Sequence, residues 1–409
     1  MIPTVLIIGG GAAGFFSACQ LTEFDKPLKI IILEKDKEVL KKVRISGGGR
    51  CNVTHNCFEP GELIKHYPRG ERELFGPFSQ FQPKDTLKWF SSHGVLLKKE
   101  PDGRIFPVTD SSETIINCFL GICKKHNIKI NVSCKVTSIN KNIDGKWEIK
   151  ADESIFHADY LVMTTGSSTS TWQMAADLGH KIISPVPSLF TFKIKDKELT
   201  TLAGVSLTNT SIKITGSKYL TEGPLLITHW GLSGPAVLKL SALAALALND
   251  VNYQFEIILN WISEPYAKVL ADLNKLKINE ARKQTGNVTF YKIPNRFWHY
   301  LLNLSGIQSE HQWANITKIQ IQQLAVNLTE CHIKVQGKST YKDEFVTAGG
   351  ISLKEVNFKS FESKIHQNLF FAGEILNIDG LTGGFNFQAA WTGSYLVSKA
   401  ILAKLKETN

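Results

Sequence analysis

Three glycine-rich clusters hold the chemistry-bearing residues of this chain. The first, Gly9-Gly10-Gly11-Ala12-Ala13-Gly14, fits G-x-G-x-x-G and directly follows the apolar run Val5-Leu6-Ile7-Ile8. In that setting Gly9 permits a tight turn, Gly11 lets a pyrophosphate approach the main chain, and Gly14 lets helix and strand pack closely. Ala12 and Ala13 stand at the helix start, where N–H groups and the dipole favour phosphate. Glu34 closes a second apolar run, Lys29–Leu33, twenty residues after Gly14. Its carboxylate is placed to accept from ribose hydroxyls, and Lys35 follows it.

The second cluster is Arg44-Ile45-Ser46-Gly47-Gly48-Gly49-Arg50-Cys51-Asn52-Val53-Thr54-His55. Gly47, Gly48 and Gly49, flanked by Ser46 and Arg50, let backbone lie against a planar ligand. Residues 41–58 carry Lys41, Lys42, Arg44 and Arg50, with the first carboxylate, Glu59, just beyond, so this reads as an anion-attracting loop. Cys51 and His55 are candidate proton donors, and Arg50 a candidate polariser of a substrate carbonyl. A packed, inert thiol remains the commoner fate of a cysteine.

The third cluster lies near the other end. An apolar run at 369–372 ends in Gly373-Glu374, and Asp379-Gly380-Leu381-Thr382-Gly383-Gly384-Phe385-Asn386 leads into a helix. A second glycine-rich helix start offers backbone donors to a flavin pyrimidine, where negative charge develops on reduction. Glu374 is placed to meet a ribityl hydroxyl or the pyrophosphate, and Asp379, Gly383, Gly384, Phe385 and Asn386 complete the set. One fingerprint alone suits a nicotinamide dinucleotide equally well; paired with this segment it points to FAD. Gly166, in Thr165-Gly166-Ser167-Ser168 after the apolar run 160–164, is the remaining expected contact.

These residues need a scaffold. Strand, helix and strand over 5–33 open a doubly wound sheet. Helix, strand, helix and strand follow over 83–138, then a hairpin of 147–150 with 155–157. The pattern changes near Pro185-Val186-Pro187: alternation at 191–195 and 211–215 predicts strands, and 265–284 and 295–304 predict helices. The α/β pattern resumes at Thr347-Ala348-Gly349-Gly350 and ends in a helix over 389–404. The expected class is α/β: a discontinuous Rossmann-like FAD-binding domain formed by 1–187 and 346–409. A β-rich domain with a small helical part is inserted at 188–345.

Composition bounds the function. A chain of 409 residues, 43% hydrophobic and 21% charged, folds around a sizeable core. A net charge of +10 suits a polyanionic partner without demanding one. Seven cysteines, an odd count without C-x-x-C, argue against a disulfide framework or a metal site and for a reducing, cytoplasmic setting. The apolar start lacks a basic n-region, and Leu240–Leu248 is too short to span a bilayer, so no stable membrane association is expected.

Several segments together resemble the BaiN-like flavoproteins, a family of NAD(P)/FAD-dependent oxidoreductases. They are GGGAAG at 9–14, ISGGGRCNVTH at 45–55, DGRIFPV at 102–108, THWGLSGPAVLKLS at 228–241, and TAGGISLKEV with LFFAGEILNIDGLTGGFNFQAAWTGSYL within 347–396. They run in order along nearly the whole chain. The resemblance implies the same discontinuous FAD domain with its insertion. Its branches include ribosomal RNA dihydrouridine synthases, aminoacetone-oxidase-like enzymes and enzymes of bile-acid metabolism. Two positions depart from it: Asn377 stands where Asp is expected in GE-x-x-D-x-DG, and the turn 165–171 is shorter and poorer in glycine.

Three functions remain open on the sequence. One is reduction of uridine to dihydrouridine in ribosomal RNA or its precursor, with hydride to C6 and a proton to C5. The basic residues, including Arg69, Arg72 and Arg104, suit a phosphate-lined approach. NAD(P)H would then be a transient reductant, since 188–345 contains no second G-x-G-x-x-G. Another is oxidation or reduction of a small molecule, with His229 and Trp230 lining the pocket. A third is an RNA-binding protein with structural FAD.

Overall fold

The computed structural model describes residues 2–288, 290–339 and 346–407. The chain divides into two compact units, Met1–Val186 with Val346–Asn409, and Pro187–Phe345.

In the first unit, β1 (Thr4–Ile8) lies inside a parallel sheet, and its residues 5–8 are all buried. It pairs on one side with β2 (Lys29–Leu33), which pairs in turn with β3 (Lys129–Asn131). On the other side it pairs with β4 (Tyr160–Met163), and β4 with β5 (Leu369–Phe371). Val356–Asn357 and Glu362–Ser363 extend the β5 edge in antiparallel fashion. Central strands buried on both faces are continuous apolar runs, which is how these segments read. Because the five strands are parallel, the loops after β1, β2, β4 and β5 emerge along one edge, where open α/β sheets hold ligands.

Two helices pack on that frame. α1 (Ala12–Leu21) is buried from Ala13 onward, against α3 (Phe385–Glu407). Small hydroxyl side chains let the two approach closely: Ser394 Oγ donates to the Ala13 carbonyl at 2.8 Å, and Ser398 Oγ to the Ser17 carbonyl at 3.0 Å. Phe16, Trp89, Phe119 and Trp391 fill the space around them. α2 (Lys41–Gly49) is helical only over its first part: Ser46, Gly47 and Gly48 leave helical geometry.

The second unit is a closed six-stranded antiparallel barrel. Around it run Thr191–Ile194, Gly231–Ser233, Leu220–Thr228, Ser206–Ile214, Gln254–Asn260 and Cys331–Ser339, the last pairing back to the first. Phe192, Ile212, Leu225, Ile257 and Leu259 lie in its core, with helices Tyr266–Asn279, Asn295–Leu304 and Lys318–Thr329 beside it. The β-rich and helical parts are thus both present. The helix Lys318–Thr329, absent from the sequence reading, opens on a capping box of Thr317 and Gln320. The final helix starts at Phe385 rather than 389, directly after Gly384. Among the described residues no helix is long and apolar enough to cross a membrane.

Candidate active site

The three fingerprint glycines do three different jobs. Gly9 has φ +109°, and a Cβ there would lie 2.6 Å from the Thr164 carbonyl oxygen at the end of β4. At Gly14 a Cβ would come within 2.1 Å of the Gly9 oxygen. Both positions therefore require glycine for the fold. Gly11 differs: its φ of −91° suits any residue, and a Cβ there meets nothing within 4 Å. The main chain leaves space at that point, at the start of a helix with no side-chain cap and no acid in its first turn. Such a helix start has unsatisfied N–H groups and a partial positive charge.

Glu34 secures the turn from the side. Its Oε2 accepts from the Gly10 N–H at 2.8 Å and its Oε1 from the Asp36 N–H at 2.9 Å. The carboxylate is half-buried and keeps further acceptor capacity, while Lys35 beside it is exposed.

The distant C-terminal segment meets this turn. A Cβ on Gly373 (φ +78°) would sit 3.2 Å from the Ala13 Cβ, and one on Gly166 (φ +62°) 3.9 Å from Glu374 Oε2. Thr164 Oγ1 donates toward the Ile8 and Gly9 carbonyls, tying the β4 loop to the same turn. Asn377 accepts from the Gly349 N–H at 3.0 Å, so its amide oxygen does there what a carboxylate would do.

Gly47, Gly48 and Gly49 follow with φ of +58°, +68° and +85°. A Cβ at Gly48 or Gly49 meets nothing within 4 Å, whereas at Gly47 it would strike Phe106 at 2.9 Å. Ser46 Oγ donates to the Val43 carbonyl, and the Ser46 carbonyl accepts from the Cys51 N–H at 2.9 Å, closing the loop. Residues 52–55 then run beside the start of α3. Thr54 Oγ1 bonds Gln388 at 2.6 Å, Trp391 Nε1 donates to the Val53 carbonyl at 2.9 Å, and Asn52 Oδ1 accepts from the Gly384 N–H. Gly384 must be glycine, since a Cβ would lie 2.7 Å from the Thr54 carbonyl.

Here the structure corrects several readings. Cys51 is fully buried in the core, and burial pushes its thiol up to about 12. A side chain sealed from solvent on the core side cannot hand a proton to an arriving substrate. Cys51→Ala should therefore keep turnover within about threefold of native and cost roughly 1–2 kcal/mol of stability; steady-state assays and chemical denaturation check both, and loss of most turnover would restore Cys51 as the acid. Arg50 is committed elsewhere: its guanidinium lies over Phe106 at 4.0 Å and pairs with Glu100 at 2.6 Å and Asp110 at 3.4 Å. Asp379 is buried in a two-pronged pair with Arg69, which makes it a brace for the Gly380 turn rather than a ligand contact. The basic run is also neutralised in space. Lys41 pairs with Asp36, Lys42 with Glu374, and Arg44 with Glu113, so the apparent anion-attracting stretch is a set of exchangeable surface ion pairs.

His55 lies beside the start of α3. Its ring is half-buried, stacks on Phe385 at 4.7 Å, and its Nε2 lies 3.2 Å from the Asp102 carbonyl. A Cβ on Gly383 would be 3.4 Å from the His55 ring. Phe385 is buried, and Asn386 pins the preceding turn by accepting from the Gly380 N–H and donating to its carbonyl. His66, stacked on Phe385 at 4.1 Å, and Tyr67, whose hydroxyl donates to the Phe385 carbonyl, complete the group. Neither carried a sequence signal, because no motif spacing connects 66–67 to 385.

The chain matches the HI0933-like protein Rossmann domain family over residues 3–400. It belongs to that family. It is 27% identical to a ribosomal RNA dihydrouridine synthase of Haemophilus influenzae, over 97% of this chain and 98% of that protein. It is 26% identical to a 3-dehydro-bile acid delta(4,6)-reductase of Clostridium scindens, over 96% and 98%. It shares its fold with the 3-ketosteroid-delta4-(5alpha)-dehydrogenase of Rhodococcus jostii RHA1, at a TM-score of 0.50 and 11% identity over 97% of each chain. This HI0933-like chain is an FAD-dependent oxidoreductase. The unobstructed space at Gly11, Gly48 and Gly49 and the uncapped start of α1 are features that an extended dinucleotide fits.

Proposed function

We propose that this chain reduces uridine to dihydrouridine in ribosomal RNA, with NAD(P)H as the electron source. The carrying observation is that the glycine-rich turns at 47–49 and 383–384 both meet Asn52, with an imidazole, His55, beside the latter, while the turn at 9–14 of the same unit meets Gly373. Gly11, Ala12, Ala13 and Gly14 would hold the pyrophosphate of FAD, and Glu34 its adenosine ribose. Gly166, Gly373 and Glu374 would line the ribityl stretch, and Ser46, Gly47, Gly48, Gly49, Gly383 and Gly384 the ring system. When bound, FAD supplies two-electron hydride chemistry.

The relatives favour the reaction class. A dihydrouridine synthase and a delta(4,6)-reductase of a 3-dehydro bile acid both saturate a carbon–carbon bond conjugated to a carbonyl. Such a reaction adds hydride at the carbon β to the carbonyl and a proton at the α carbon, C6 and C5 in uridine. This chain's part is to orient the ring, shelter it from water and deliver that proton. His55 is the side chain we assign to the proton. Arg50, held by Glu100 and Asp110, acts as a fixed charge near the loop rather than a mobile one.

Glu34→Gln should lower FAD affinity at least tenfold while the melting temperature moves by only a few degrees, because a carboxylate makes stronger hydrogen bonds than an amide. Flavin release during dialysis measures the first and thermal unfolding the second; unchanged retention would make Glu34 only a brace for Gly10 and Asp36.

Mass spectrometry of ribosomal RNA from a strain lacking this gene tests the substrate. Loss of one dihydrouridine, restored by the native gene, is expected; an unchanged nucleoside profile contradicts it. The second reading, reduction of a small conjugated ketone, is favoured by the bile-acid reductase relative and by the neutralised basic run. It predicts turnover on a free enone by NAD(P)H-reduced protein with no RNA present.

A further inference from the structure

With the basic run at 41–50 paired off, the chain's excess positive charge surfaces elsewhere, on the barrel of the second unit. Thr191–Ile194 and Cys331–Ser339 are neighbouring antiparallel strands, and neither contains a carboxylate. Burial alternates along them, so Lys193 faces outward between buried Phe192 and Ile194, and Lys334 outward between buried Ile333 and Val335. Ile194 is level with Val335, and exposed Lys195, just past the strand end, continues that register beside Lys334. Lys213, also exposed, extends the face on Ser206–Ile214, two strands further round. The carboxylate between them, Glu256, lies opposite Lys334 and is bonded to His332 at 3.1 Å. None of Lys193, Lys195, Lys213 and Lys334 forms an ion pair among the described residues.

Like charges side by side on paired strands cost stability. Clustered exposed cations without carboxylate partners are the elements that bind a nucleic-acid backbone. We propose that this barrel face, centred on Lys193, Lys195 and Lys334, docks the phosphate backbone of the RNA substrate. It rests on the reading of RNA as substrate.

The test compares Lys193→Gln/Lys334→Gln with a control, Lys150→Gln/Lys275→Gln, which removes two exposed lysines carried by other elements, the strand Trp147–Ala151 and the helix Tyr266–Asn279. The probe is a transcribed ribosomal RNA hairpin, titrated at several salt concentrations. The barrel variant should bind at least tenfold more weakly, with its log affinity against log salt slope reduced by about 1.4–1.8, the loss of two phosphate contacts. The control should match native, and both variants should keep native FAD content and native reduction by NAD(P)H. Equal weakening in both variants would mean that net charge alone attracts RNA, and would overturn the face. Native slope and affinity in the barrel variant would also overturn it, leaving the RNA reading intact. A native protein that binds no hairpin would remove both. Loss of binding to phosphatidylglycerol vesicles without change in RNA binding would assign the face to a membrane instead.

Discussion

Gly11→Val should give a folded protein that carries no flavin. Its φ of −91° and ψ of −169° lie where a β-branched residue is comfortable, and its Cβ would touch nothing within 4 Å. The fold therefore loses only the difference between glycine and valine at a helix N-cap, about 1 kcal/mol. The isopropyl group would instead fill the space reserved for a pyrophosphate and cover the N–H groups that bind it. FAD affinity should fall by at least a hundredfold, so that purification strips the cofactor, while far-ultraviolet circular dichroism stays native. Gly14→Val is the matched contrast. Its Cβ would lie 2.1 Å from the Gly9 oxygen, so it should lose fold and flavin together. Full flavin content in Gly11→Val would mean that the pyrophosphate lies elsewhere.

His55→Gln should retain FAD and its anaerobic reduction by NAD(P)H, yet lose roughly 100- to 10,000-fold in product formation, the usual contribution of a positioned acid. Glutamine keeps a donor for the Asp102 carbonyl and much of the contact with Phe385, so the loss reports the proton and not the packing. Single-turnover assays with pre-reduced protein separate this step from the reductive half-reaction. Native single-turnover rates would move the acid to His66, which shares the Phe385 ring.

The parts of the site legible in the sequence are those in which local spacing fixes geometry. The Gly9 and Gly14 positions follow from a strand feeding a helix through a tight turn, and Glu34 from the end of the next strand. The direction of Cys51 was not legible, because three left-handed glycines precede it and its own φ is +61°. Whether such a side chain faces the core depends on what it packs against. The neutralisation of Lys41, Lys42, Arg44 and Arg50 was equally hidden, since the carboxylates come from 36, 374, 113, 100 and 110. Alternating residues at 191–195 and 211–215 signalled strands, but closure into a barrel rests on pairing Thr191–Ile194 with Cys331–Ser339, which no local pattern records. Arg69 is a similar case: its pairing with Asp379 turns a suspected ligand contact into a structural brace.

The most direct test of the account is the visible absorbance of the purified native protein, taken before and after denaturation, with chromatography of what is released. The glycine seams at 9–14, 47–49 and 383–384 predict a yellow protein that releases about one intact FAD per chain, as a discontinuous dinucleotide site should. A colourless, folded protein that takes up no FAD on reconstitution would contradict it.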